Sequence, residues 1–524
     1  MLPSLANEES PEVPREESAE ESRDESRLSF WLRVREFAVL PSVIETATAR
    51  RRAGDWAGAC AAAGIDVDLN LRAVARTHGT EFVTQLRSDL RNLAPDLLRW
   101  HMPRIAPYGV LRPGLTVALA RYEVPGRVRV RVPVPGRDGA VFLVVRTPPA
   151  WADAGQRMSL ALWDGSRRSH PEARAAHRYP HPHPSRRFRL DLHRHLWDAR
   201  RTDELRIRSG ADRAPGERHS VQGPYRHCVV DQWAAEAAIL LHAERHPGTG
   251  TATGTDPRTV AVRLGTRHWV HLDVDLDRNG LGNPVPRIAP ATTDGGAAPS
   301  ALPVLPDAAT WALPDLDLLC TGSIEPDRLH PLVASALVPG HTPSGPSRTP
   351  DPADRPYLVE CRGGTHRIGL VDGVLAPLDH DPAEIRREEL LAELTGTPLA
   401  CLRAIDQAHR HPDCLVGVRE RLHHGDTAGA LAVVEGLLGP DAVLREGALR
   451  DELERAVARR IAYGLFRVGL AGPGPGPRPG PAPVPVPAPG RRAERDRPDH
   501  HRAPDRLPGR PLHRRDHPRL ATFS

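Results

Sequence analysis

The chain has 524 residues, 40 % of them apolar, and a formal net charge of +5. That length is a prior for about three or four domains, and no run approaches the roughly 20 apolar residues of a membrane-spanning helix. All 71 basic residues are arginine, which excludes chemistries that need a primary amine: the P-loop, the protein-kinase strand lysine, S-x-x-K acyl enzymes and Schiff-base catalysis.

The charge sits mainly at the ends. Residues 1–27 carry nine acids against three arginines, and residues 491–524 carry ten arginines against five acids. The part between is nearly neutral for its size, so a basic pI is weak support for nucleic-acid binding. Cys60, Cys228, Cys320, Cys361, Cys401 and Cys414 form no C-x-x-C pair. They are too sparse for a disulfide scaffold and read as thiols packed as small hydrophobes. The first residues lack the basic and apolar regions of a signal peptide, so a cytoplasmic protein is expected.

In chain order, residues 1–27 are acidic and serine-rich and read as a disordered tail. Residues 28–105 read as helical. Ser42 and Glu45 have capping-box spacing after Pro41, and Phe82, Leu86, Leu90, Leu93 and Leu97 build one apolar helix face that stops at Pro103. Residues 106–212 change to a two-residue period. Leu115, Val117 and Leu119 alternate, as do Val128, Val130, Val132 and Val134 with Arg127, Arg129 and Arg131 between them. Strand-like AVFLVVRT, MSLALWDG, FRLDLHRHLWD and ELRIRSG follow, which predicts an antiparallel β-sandwich-like domain.

Residues 222–338 read as a mixed α/β region with linkers: a helix over 222–246, a strand pair over 258–277 and short helices over 311–338. Residues 357–470 read as a three-strand meander, turning at Gly363-Gly364 and Asp372-Gly373, followed by a helical bundle. Asp381, Pro382 and Glu384 mark its first helix, and Leu449, Leu453, Val457, Ile461 and Leu465 a later stripe. Residues 471–524, Pro-rich and then Arg/His-rich, read as disordered. The fold class is therefore α+β and multi-domain: an N-terminal helical segment, a β-sandwich-like domain, a mixed α/β region, a C-terminal helical bundle and disordered termini. One echo spans it. Gly54-Asp55-Trp56-Ala57-Gly58-Ala59 and Gly425-Asp426-Thr427-Ala428-Gly429-Ala430 share the form of a helix–Gly-Asp–helix turn.

Candidate sites are few. His170, His177, His181, His183, His193 and His195 cluster, and a strand at FRLDLHRHLW would put Asp191, His193 and His195 on one face, a possible divalent-metal surface. His409, His411, Cys414, His423 and His424 form a second cluster without a ligand spacing. Asp275, Asp277, Asn279 and Gly280 open like a calcium loop, but Pro286 stands where the bidentate Glu belongs, so a hairpin turn is the better reading. His242-Ala243-Glu244 has the H-x-E form of zinc deaminases without the companion P-C-x-x-C.

Two short resemblances remain. His380-Asp381 resembles the HD pair of metal phosphohydrolases, although Asp381 is better used as an N-cap. Gly363-Gly364-Thr365-His366-Arg367 resembles the glycine-His-Arg signature of ParB-like and sulfiredoxin folds, which run on into a helix where this segment runs on strand-like. Neither assigns a role to any residue here.

The sequence thus assigns no catalytic, cofactor-binding or metal-ligating residue. The leading expectation is a non-enzymatic protein-interaction or scaffold protein whose partners are other proteins. The alternative is a metal-dependent hydrolase using a histidine cluster, and a nucleic-acid-associated factor is weaker still.

Overall fold

The computed structural model describes residues 14–123, 140–153, 155–164, 183–213, 227–244, 259–265, 268–275, 285–290, 302–341, 357–361, 363–371, 374–396, 399–410, 415–438, 444 and 446–470. It is a mixed α/β, multi-part architecture. The extreme ends, 1–13 and 471–524, and the Arg127, Arg129 and Arg131 stripe lie outside the described residues.

Helix α1 (Pro14–Phe37) begins inside the segment expected to lack structure. Local composition hides the reason: Arg27 is buried and donates to Asp317 at 2.5 Å, a partner 290 residues away. Helices α2 (Pro41–Arg52), α3 (Trp56–Ala62), α4 (Leu71–His78), α5 (Thr80–Asn92) and α6 (Pro95–His101) follow, with a short strand β1 (Ile65–Val67) after α3. Helix α2 starts with proline in its first turn and Leu40 as N-cap, so the Ser42–Glu45 capping box does not form. The Phe82–Leu97 stripe is fully buried as expected, but two helices carry it. Pro95 forces the residue before it out of helical backbone, which ends α5 and starts α6.

After a hairpin of β2 (Arg104–Ile105) and β3 (Val110–Leu111), strands β4 (Thr116–Tyr122), β5 (Val141–Arg146) and β6 (Met158–Trp163) form one sheet with β1, in the order β1-β6-β5-β4. Strand β1 runs parallel to β6 and the other pairs are antiparallel. Among the described residues this four-stranded sheet is not joined by a second sheet into the expected sandwich. The strands themselves show why. Residues 117–120 of β4 and 143–145 of β5 are buried without alternation, as in a sheet covered on both faces. Two of the expected strands are also corrected. FRLDLHRHLW is a turn with a 3₁₀ segment at Arg194–Leu196, and ELRIRSG holds the short helix α7 (Glu204–Arg208). In the first, Leu190, His193, His195 and Leu196 are buried; in the second Leu205 is buried while Ile207 is exposed.

Helix α8 (Val230–Glu244) lies on an antiparallel sheet of β7 (Thr259–Arg263), β8 (Trp269–Asp275) and β9 (Val285–Pro290), and their core includes Trp233, Leu240, Val260 and Leu272. Helix α9 (Asp307–Thr310) stays with this unit, its Ala309 in the same core, and helices α10 (Pro314–Cys320) and α11 (Pro331–Leu337) then return to the first body. Leu318, Leu329 and Val333 enter the same apolar cluster as Phe30, Leu86, Leu97, Val117 and Leu143. Segments that read separately along the chain therefore share one core. A buried ion pair pins that return. Arg35 meets Asp315 through two hydrogen bonds, of 2.8 and 2.6 Å, while stacking on Trp31 and Trp100.

The C-terminal part opens with the meander β10 (Tyr357–Cys361), β11 (Gly364–Val371) and β12 (Val374–Pro377). Helices α12 (Pro382–Thr395), α13 (Ala400–Arg410), α14 (Leu415–His424), α15 (Thr427–Leu438) and α16 (Ala448–Arg467) follow. Along α16 the expected stripe leaves the bundle: Leu449 is buried, whereas Val457, Ile461 and Leu465 are exposed. A four-residue step drifts about 40° per repeat round a helix, and Glu452, Ala456 and Tyr463 take the buried face instead.

The sequence echo is a structural one. Gly54 (φ +80°) and Gly425 (φ +89°) turn the chain in the left-handed region. Asp55 and Asp426 then cap α3 and α15, accepting from the Gly58 and Gly429 amides at 2.8 Å each. Arg50 and Arg421 pair with these aspartates at 2.9 and 2.8 Å. One side chain touches both hairpins. Arg99 is buried and donates to the carbonyls of Ala38 (3.0 Å), Ala63 (3.3 Å), Gln156 (2.6 Å) and His424 (3.1 Å).

Candidate metal centre

Strand β10 ends at Cys361, opposite Gly364, the first residue of β11. Gly363, at φ +79°, makes this tight reversal possible. Strand alternation puts Val359, Cys361, His366 and Ile368 on one face, and Cys361 and Ile368 are buried there. Beyond β12 the chain is held back against β11. Asp379 accepts from the Arg367 amide at 2.7 Å and pairs with its guanidinium at 2.8 Å, which holds the Asp379 carboxyl down at about 2. Asp381 then caps α12 through the Ala383 amide at 3.0 Å, as the sequence predicts.

Between these two anchors stands His380. Its ring stacks on that of His366, with centroids 4.2 Å apart and planes at 19°. Its Nε2 is 3.5 Å from Cys401 Sγ, and its Nδ1 is 3.9 Å from the Glu384 carboxylate. Cys401 is the second residue of α13 and is fully buried. The donor atoms of Cys361, His380 and Cys401 all lie within 4.8 Å of one another. Tetrahedral zinc with usual bond lengths has ligand–ligand edges of about 3.5 Å for N···S and 3.8 Å for S···S. The His380–Cys401 pair already stands at such an edge. Burial, and then the hydrogen bond to Cys361, push the Cys401 thiol up to about 11. A metal would have to displace that proton, as it does at other thiolate sites. His366 Nδ1 is buried without a hydrogen-bond partner among the described residues.

The described histidines of the clusters anticipated from the sequence have their neighbours within the fold. His193 Nδ1 donates to the Arg189 carbonyl at 2.9 Å and its Nε2 lies 3.2 Å from Glu236. His195 is buried, which drives its pKa well below the usual value. Asp191 is taken up by Arg189 at 2.9 Å, and His183 packs edge-on against Trp163. In the second cluster, His423 lies against Tyr108 and His424 Nε2 donates to the Tyr108 carbonyl at 2.9 Å. His242 is on the exposed face of α8, and Glu244 pairs with Arg189. Asp275 ends β8. His170, His177, His181, Asp277, Asn279, Gly280, His411, Cys414 and the side chain of His409 lie outside the described residues.

Sequence reasoning thus passed over Cys361 and Cys401, which lie 40 residues apart with no motif between them, and used His380 only as part of a dipeptide. The available signal was positional. Cys361 ends a predicted strand before Gly-Gly and His380 precedes a predicted N-cap, while Cys401 opens a helix that the sequence placed only within the bundle. Compared with protein-family models, curated proteins and solved structures, the chain matches none.

Proposed function

We propose that this chain is a zinc-binding protein in which Cys361, His380 and Cys401 hold the ion. One observation carries the reading: two thiols and an imidazole from a strand, a loop and a helix converge within 4.8 Å in an enclosed place. Thiolate with imidazole suits zinc and disfavours magnesium and calcium. Glu384 stands behind His380, where carboxylates commonly orient a ligating imidazole. Among the described residues, Cys361, Ile368 and Cys401 form the buried cluster of the meander–α13 joint, so two of the three ligands sit in its core and zinc binding would be coupled to its folding.

Elemental analysis of the full chain, purified and reconstituted with zinc, is the test. The expected result is about one zinc per chain, lost in Cys401→Ser, with a lower Tm after chelation. A content near zero, or one unchanged by Cys361→Ser and Cys401→Ser, overturns the assignment.

A hydrolytic role is the second reading, and ligand number favours it. Three protein donors leave a fourth position for water, as at catalytic zinc, and His366 beside His380 is a group able to take its proton. Zinc-dependent turnover of a p-nitrophenyl ester or phosphate that is lost in His366→Ala supports it. Equal rates with and without zinc end it. The interaction reading rests on α12, which has no buried residue and exposes Leu390, Leu391 and Leu394. A second copy of the chain is the first partner to assay, by sedimentation beside Leu394→Glu.

A further inference from the structure

A cavity of about 140 Å³ lies where the first body meets the α8 sheet unit, far along the chain from the cysteines. Cavities at such junctions are frequent ligand sites. Its wall combines aromatic rings with arginines, among them Trp31, Phe188, Trp311, Arg104 and Arg112. Most of the cations there are matched: Arg35 by Asp315, Arg187 by Asp307, Arg189 by Asp191 and Arg208 by Glu236.

Arg104 and Arg112 are the exceptions. Arg104 is 2 % exposed, and its guanidinium meets only carbonyls, those of Gly109 and Arg99. Arg112 makes no side-chain hydrogen bond among the described residues; its guanidinium faces the Phe188 ring at 6.0 Å. Arg112, Arg187 and Arg263 share the field of one carboxylate, Asp307, and burial, then repulsion from Arg187 and Arg263, lower the Arg112 pKa. Four N–H groups of the wall are buried without an acceptor among the described residues: Trp31 Nε1, Arg104 Nε, Arg112 Nε and Trp311 Nε1. These groups only donate, so what satisfies them must accept.

We propose that this cavity binds a small organic anion, with a carboxylate or phosphate head placed against Arg104 and Arg112 and one flat apolar ring held among Trp31, Phe188 and Trp311. Size sets the limit on the ring: cavities on the order of 150 Å³ take one benzene. Guanidinium forks suit both head groups, and ring faces suit the body. The site is independent of the zinc reading.

The test uses the full chain and four probes: benzoate, phenyl phosphate, inorganic phosphate and benzyl alcohol. Tryptophan fluorescence and thermal shift are read at low salt. Saturable binding is expected for benzoate or phenyl phosphate, and the stronger of the two identifies the head group. Inorganic phosphate should bind at least tenfold more weakly, and benzyl alcohol should not compete. Arg112→Gln should weaken the anion at least tenfold while leaving the free protein's Tm equal or higher, because it relieves like-charge repulsion. Affinity should be the same with and without a metal chelator, which separates this site from the zinc centre. Absence of saturation by any anion at millimolar concentration, equal binding of benzyl alcohol, or undiminished affinity in Arg112→Gln overturns the proposal.

Discussion

Replacing Arg35 by methionine isolates the cost of an uncompensated buried charge. Arg35 and Asp315 are 2 % and 0 % exposed at their side chains and are bonded twice to each other. Asp315 also accepts from Trp100 Nε1 at 3.0 Å. Methionine keeps most of the packing volume on Trp31 and Trp100 but strands the carboxylate, a change worth about 3–5 kcal/mol. For a body of this size, each kcal/mol moves the Tm by roughly 2–4 °C, so a fall of about 6–20 °C is expected. The cost should shrink as pH falls. Protonation of His101, whose Nε2 lies 4.0 Å from the carboxylate, offsets the stranded charge. Asp315→Asn alone keeps an acceptor for Trp100 but strands Arg35, at a similar cost. The double variant Arg35→Met/Asp315→Asn strands neither, and should lose only about 1–3 kcal/mol for imperfect hydrogen bonding. Denaturant melts of all four proteins close the cycle. If the two single losses simply add in the double variant, the pair does not act as a coupled buried charge and the reasoning fails.

Other outcomes follow from the same structure. Burial holds His101 down at about 4 and His424 at about 3, the latter with help from Arg104 and Arg99. Below pH 6.5 the unfolded chain therefore binds protons that the fold does not. Each group should take up to about 1.4 kcal/mol per pH unit from stability between pH 6.5 and its folded pKa; urea titrations at pH 7.5, 6 and 5 check this, and His424→Gln should flatten the slope. A Cβ on Gly425 would stand 2.1 Å from the Gly155 carbonyl oxygen, whereas one on Gly54 meets nothing within 4 Å. Gly425→Ala should then cost well over the roughly 1 kcal/mol backbone strain expected of Gly54→Ala, read from paired melts. Arg99→Met removes a charged donor from four carbonyls and should cost several kcal/mol, with earlier proteolysis between 415 and 438 as the local sign.

Local features of the sequence carried over where local physics decides the outcome. The meander announced itself by Gly363-Gly364 and by alternation, and α12 by Asp381 and Pro382; α12 starts there, and the first reversal falls one residue early, with Gly364 already paired to Cys361. The stripe Phe82–Leu97 is buried at every apolar step. What failed depended on distance. Alternation at 188–197 resembled a strand, but its His193 answers to Arg189 and Glu236 in a folded loop. Whether α1 is a tail or a core helix rests on Asp317 and Asp315, nearly 300 residues on. The cysteines gave the least warning, because metal-ligand spacing is informative only when ligands share a turn, and these lie on three different elements.

The joint at Arg99 is written asymmetrically in the gene. Its four acceptors are main-chain oxygens at Ala38, Ala63, Gln156 and His424, and every amino acid supplies that oxygen. Drift at the receiving positions can alter packing but leaves the contacts themselves in place, whereas a change of the single arginine codon removes all four at once. Only the His424 contact reaches the C-terminal part, and the joint is thus tolerant at its acceptors and brittle at its single donor.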